Sequence, residues 1–204
     1  MAQRLLLVEG SDDRHVIYAL LKAHCVPQVF EVLQLEGVER LLDSVPQQLK
    51  AADRARLAVV LDADEDVEKR WRQLKGHLER EGHSNLPEAP SAEGTIVDLS
   101  TGVRFGVWLM PDNCLPGMLE DFVRLLVPAQ DTLFPRVDGF LASIPEQERL
   151  FPEAHRPKAH VHTWLGIQKE PGKPLGQAIT ARYLDPHCPH VEPFLKWLRA
   201  ALVD

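Results

Sequence analysis

The chain has only three cysteines, Cys25, Cys114 and Cys188, in 204 residues. An odd, widely spaced set does not build a disulfide framework, so free thiols that are buried or incidental are expected. No apolar run approaches the roughly 18 residues of a membrane span, which excludes a membrane-embedded class. Arg4 to Val8 is apolar but stops at Glu9. That run is too short for a secretory leader and no small-residue cleavage site follows, so a cytoplasmic protein is expected. Basic residues are also in deficit: 23 Lys and Arg stand against 30 Asp and Glu, a net charge of −7. This weighs against tight, non-specific nucleic-acid binding, which usually rests on a basic surface. A carboxylate set that holds cations inflates the formal negative charge.

The composition is that of a globular chain, with 45% hydrophobic and 26% charged residues. Arg4 to Val8 and Leu57 to Leu61 are continuous apolar runs, as in strands buried on both faces of a parallel sheet. Ser11-Asp12-Asp13 supplies an N-cap and acidic first-turn residues for a helix along Val16, Ile17, Leu20 and Leu21. Val29 to Leu35 reads as a strand, Val38 to Leu49 as a helix with Pro46 a defect near its end, and Val67 to Glu81 as a polar helix. Strand and helix alternate, so the fold class is α/β with a mostly parallel, doubly wound sheet flanked by helices. Residues 82–94 form a loop. Thr95 to Leu99 and Arg104 to Met110 flank Ser100-Thr101-Gly102 and read as a hairpin at a sheet edge. Pro116 to Val127 reads as a helix. Five prolines between 128 and 157 leave room for a short helix at most. Helices over about 158–168, 174–183 and 190–202 complete a helical C-terminal part. Residues 1–127 thus form the α/β core, and 128–204 an extension packed on it.

Both buried strands end in acid. Glu9 ends the first, with Asp12 and Asp13 after it. Asp62-Ala63-Asp64 ends the second, with Glu65 and Asp66 beyond. Ligands of open parallel sheets bind outside the carboxyl ends of strands. Acids crowded there repel and need protons or cations. Hard oxygen donors select magnesium, manganese or calcium. The D-x-D spacing is expected to turn Asp62 and Asp64 to one side, to share an ion. Glu120 lies at the edge of the apolar face Leu119, Phe122, Val123 and Leu126, where it can reach inward, while Asp121 points away. Lys158 opens a helix carrying Val161, Trp164 and Leu165, placed to steady a phosphate. Each acid read singly is also an ordinary cap or turn residue, and Lys158 read singly is a snorkelling lysine.

Leu7-Val8-Glu9-Gly10-Ser11-Asp12-Asp13 followed by Val60-Leu61-Asp62-Ala63-Asp64 resembles the TOPRIM domain of topoisomerases, primases and related nucleases. The likeness is closer to the TOPRIM domain of the overcoming-lysogenization-defect (OLD) nucleases, whose added aspartate Asp13 matches. That family's further glutamate and lysine fall best on Glu120 and Lys158. Residues 108–113, 117–121 and 158–168 also look like a small bacterial family of standalone TOPRIM-like proteins of unassigned function. The resemblance implies Mg²⁺ or Mn²⁺, with Ca²⁺ as an alternative occupant, on Glu9, Asp13, Asp62, Asp64 and Glu120. It implies phosphodiester hydrolysis on nucleic acid, with Lys158 offsetting phosphate charge. The chain departs from OLD nucleases in having no G-x-x-x-x-G-K-[ST] motif, so an ATPase would come from a protein partner. Two other readings stay open: a non-catalytic TOPRIM-like binding or regulatory module, and a metal-dependent phosphohydrolase acting on a small nucleotide. An open groove with a basic rim of Arg104, Arg156, Lys158 and Lys169 would favour nucleic acid.

His155, His160 and His162, and the group His187-Cys188-Pro189-His190, lack the paired spacing of a structural zinc site, and no zinc is expected. On a helix, His160 and His162 face apart. Trp108, Trp164 and Trp197 sit among apolar residues and read as core.

Overall fold

The computed structural model describes residues 3–204. It is an α/β fold with a five-stranded, mostly parallel sheet in the order β2-β1-β3-β5-β4. The strands are β1 (Gln3–Val8), β2 (Glu31–Gln34), β3 (Arg54–Asp62), β4 (Thr95–Asp98) and β5 (Arg104–Met110). Only β4 runs antiparallel, paired to β5 by a hairpin at the sheet edge. Helices α1 (Ser11–Ala23), α2 (Val38–Leu49) and α3 (Val67–Arg80) connect the parallel strands. The C-terminal part is helical: α4 (Leu119–Arg124), α5 (Phe134–Ser143), α6 (Arg156–Gly166), α7 (Leu175–Thr180) and α8 (Val191–Leu198). None of the helices among the described residues is long and apolar enough to cross a membrane.

Because side chains alternate along a strand, the sheet divides the apolar residues into two layers. Leu5, Leu7, Leu57, Val59, Leu61, Phe105 and Val107 pack with α2 and α3. Leu6, Val8, Ala58, Val60 and Trp108 pack with α1 and with α4 to α8. The C-terminal residues therefore complete the core on the α1 side. Arg4 and Arg56 tie the chain end down: Arg4 Nη1 donates to Leu202 O and Arg56 Nη1 to Ala201 O.

Several local expectations change. The second strand is shorter than 29–35, since only Glu31–Gln34 pairs with β1. The N-cap of α1 is Gly10, not Ser11, and no side-chain oxygen caps it. The helix expected over 116–127 closes to Leu119–Arg124, and Leu125 to Val127 continue as tighter turns with N–H groups bonded three residues back. Within 128–157 a ten-residue helix forms, α5. Pro135 lies in its first turn, where no N–H is needed. Asp131 Oδ1 accepts from Leu133 N at 2.9 Å and Phe134 N at 2.6 Å, doing the capping from outside the helix. Cys25 and Cys114 are exposed and Cys188 is half-buried; all three are free thiols.

Candidate functional site

The connection from β1 to β2 passes over the α1 face, and that from β2 to β3 over the opposite face. The chain reverses its winding between β1 and β3, and the crevice at such a reversal lies at the carboxyl ends of the strands. Glu9 stands immediately after β1, and Asp62 is the last residue of β3.

Glu9 reaches sideways to β3, where its Oε1 accepts the Asp62 N–H at 2.8 Å. The Asp62 carboxylate leans the other way, and its Oδ1 accepts the Leu119 N–H at the start of α4 at 2.9 Å. Asp13, in the first turn of α1 and 7% exposed, accepts the Gly10 N–H at 3.0 Å. Glu120, 4% exposed, comes inward from α4. Its Oε1 lies 3.5 Å from Lys158 Nζ and 3.9 Å from His162 Nε2, both on α6. Glu9, Asp13, Asp62 and Glu120 are thus drawn to one end of the sheet, and Lys158 reaches the set through Glu120. Among the described residues, no three His, Cys, Asp or Glu side chains converge to ligate one ion as they stand.

The electrostatics show how crowded these acids are. Burial raises the Glu9 carboxyl, offset in part by the Asp62 N–H and the Arg70 charge. Burial, then the charges of Glu9 and Glu120, push Asp13 up to about 7. Burial and then the charges of Glu9, Asp13, Glu120 and Asp64 hold Asp62 well above the usual carboxylate range.

Asp64 does not join its neighbours. Its backbone has φ +53°, and its N–H donates to Gly117 O at 2.8 Å. Gly117, at φ +147°, is itself closely packed: a Cβ there would lie 2.7 Å from Asp121 Oδ2. The turn sends the Asp64 carboxylate, 52% exposed, to the Arg70 guanidinium. The two acids of the D-x-D therefore face different partners. Asp121 does not face open water either: it is half-buried and accepts the Met118 N–H at 3.0 Å, and burial raises its carboxyl. A cleft of about 930 Å³ opens on this side, lined by Asp64, Lys69, Arg70, Gly117, Asp121 and His155.

The chain matches, over residues 3–203, the model of a family described as a protein of unknown function (DUF3226). It belongs to that family. Neither the curated proteins nor the solved structures gave a match to the chain.

The DUF3226 chain departs from the expected basic rim. Arg104 begins β5, at the end of the sheet away from Asp62, and pairs with Asp98. Arg156 pairs with Asp138 and Glu153. Of the four cations of that rim, Lys158 is the one in contact with the acids. His160 and His162 do diverge: His160 Nε2 meets Phe134 O at 2.9 Å, and His162 turns to Glu120.

Arg70 is the site residue that sequence reasoning missed. It is 7% exposed, donates Nε to Asp62 O at 2.8 Å and Nη1 to Gln73 Oε1 at 3.0 Å, and pairs with Asp64. A cation beside the core residue Trp71, one turn into a helix that starts just after an acidic strand end, was the available signal.

The donor set suits a hard divalent cation: every inward group is a carboxylate. Glu120 supplies a further sign of fit. Its side chain is 5% exposed, yet Lys158 Nζ at 3.5 Å and His162 Nε2 at 3.9 Å both lie beyond a well-formed hydrogen bond.

Proposed function

We propose that this protein is a Mg²⁺- or Mn²⁺-dependent phosphodiesterase of the TOPRIM kind, acting on nucleic acid in the cytoplasm. The observation that carries the reading is the set of Glu9, Asp13 and Asp62, three crowded acids at the switch point with no side-chain cation within 4 Å among the described residues. Their carboxyls are all raised, so the site favours protons or a cation. Glu9, Asp13, Asp62 and Glu120 would hold the ion. When bound, the cation supplies Lewis acidity and lowers the pKa of a water at the phosphorus.

The chain's own groups do the remaining work. The Glu9 bond to the Asp62 N–H fixes the two strand ends relative to each other. Arg70 grips the Asp62 carbonyl from below. Lys158 is 54% exposed at its side chain and leashed to Glu120, so its ammonium can swing to a phosphate oxygen while staying at the site. The cleft beside Asp64, with Lys69 and Arg70 in its wall, would give a strand room next to the acids.

The test is cleavage of supercoiled plasmid, single-stranded DNA and single-stranded RNA with Mn²⁺ or Mg²⁺, comparing wild type with Asp62→Asn. Cation-dependent cleavage by wild type, lost in the variant, is the expected result. Absence of cleavage on every substrate, with the protein folded, would overturn the reading. A second reading, a cation-dependent binding module without chemistry, is favoured by Arg70's hold on Asp64 and by the net charge of −7. Nucleic-acid or protein binding that needs Mn²⁺ but releases no product would select it.

A further inference from the structure

The five acids near the switch point do not form one set. Glu9, Asp13 and Asp62 have no ion pair among the described residues, whereas Glu120 has Lys158 and Asp64 has Arg70. The two pairs are built differently. Lys158 is more than half exposed and stands 3.5 Å from its acid. The Arg70 side chain is 8% exposed, and all three of its nitrogens are engaged: Nε on Asp62 O, Nη1 on Gln73 Oε1 and Nη2 on Asp64 Oδ2. A planar guanidinium held by three partners has no freedom to turn elsewhere.

Asp64 is fixed from its own side as well. Its positive φ and its N–H bond to Gly117 O fix its backbone, and the Arg70 guanidinium then holds its carboxylate. Turning the carboxylate into the cluster would leave a buried guanidinium short of a charged partner, an expensive state in a low-dielectric setting. The cluster meanwhile remains short of positive charge. Glu120, 5% exposed, has Lys158 Nζ at 3.5 Å and His162 Nε2 at 3.9 Å.

Given the cation centre of Glu9, Asp13, Asp62 and Glu120 proposed above, we propose that Arg70 is its resident positive charge: it holds Asp64 outside the carboxylate cluster, so the chain takes one divalent ion rather than two. Arg70 is a positioning residue in this scheme. It answers Asp64 as Lys158 answers Glu120, and one divalent ion answers the three unpaired acids.

The experiment counts Mn²⁺ on the full chain, by calorimetry and by the free-ion electron paramagnetic resonance signal. Wild type is expected to bind one ion. Asp64→Asn, which keeps an oxygen for Arg70 and is read on protein of native circular dichroism, is expected to keep that count and an affinity within about threefold of wild type, whereas Asp62→Asn should weaken binding by tenfold or more. Arg70→Gln, if its circular dichroism is native, should free Asp64 and raise the count to two. Two ions on wild type, a tenfold loss in Asp64→Asn, or a single ion on folded Arg70→Gln would each overturn the role of Arg70 while leaving the cation centre standing. No Mn²⁺ on wild type at millimolar concentration would overturn the cation centre, and the role of Arg70 with it.

Discussion

Neutralising Asp13 should stabilise the ion-free protein, and by more as the pH rises. The Asp13 carboxyl goes from an ordinary 3.8 to about 7 on folding, through burial first and then the charges of Glu9 and Glu120. Below pH 3.8 it is protonated in both states and costs nothing. Between 3.8 and 7 the folded chain keeps a proton that the unfolded chain has lost, so folding weakens as the pH climbs. Above 7 the penalty is complete, about 4 kcal/mol. Asp13→Asn stays neutral throughout and keeps a carbonyl oxygen for the Gly10 N–H. In EDTA its advantage over wild type should be about 2 kcal/mol at pH 5 and about 4 kcal/mol at pH 8. Urea unfolding at the two pH values measures both. An advantage that does not grow with pH, or a variant less stable at pH 8, would refute the buried-charge account. Mn²⁺ should then narrow the gap, because an ion at a hundred times its Kd adds about 2.7 kcal/mol to a chain that binds it when folded.

Gly94→Ala should cost about 3 kcal/mol or more, read as a lower urea midpoint. At φ +84° its Cβ would sit 2.3 Å from Trp197 Cδ1, which cannot move aside without losing its bond to Thr95 O. Trp164→Ala should cost about 4 kcal/mol and keep a single unfolding transition, because Trp164 is fully buried in the layer that also holds β1 and β3. Two calorimetric transitions in wild type would instead separate the C-terminal helices from the sheet. Lys158→Met should leave stability within about 0.5 kcal/mol of wild type, since the side chain is half exposed, yet lower any cleavage rate by about 100-fold. Parallel urea and cleavage measurements separate the two effects.

The parts of the fold that burial decides were legible in the sequence. Leu57 to Leu61 and Leu5 to Val8 are apolar without a break because both faces of β3 and β1 are covered, and β5 repeats the pattern from Phe105 to Met110. Their order placed Glu9 and Asp62 at the same sheet end. What local pattern could not supply were features set by contacts far along the chain. Pro135 reads as a breaker until Asp131 is seen capping α5 from outside. Arg70 reads as one more charge on a polar helix, because its burial comes from the β3 turn packed above it. The D-x-D pattern leaves the direction of Asp64 open: an aspartate tolerates the observed φ of +53° although it favours an extended backbone, and the Gly117 bridge selects the former.

The same topology explains why the acids gather where they do. Two apolar layers cover the sheet, one built by α2 and α3 and the other by α1 and the C-terminal helices. Neither layer has room for an unpaired charge, so polar groups are confined to strand ends. At most ends a loop can carry them into water. Between β1 and β3 the two crossovers leave on opposite faces, and the gap is closed instead by α4, whose first N–H is taken by Asp62 and whose Glu120 points back inside. The acids are then held too deep for water to screen them and too close for all to ionise. Asp62 is central: its carboxylate accepts from α4, its N–H donates to Glu9, and its carbonyl accepts from Arg70. An Asp62→Asn protein preserves each backbone link of this arrangement and removes one charge. A change in cation affinity there, with unfolding midpoint unchanged or raised, therefore reports on the charge set itself and not on the scaffold.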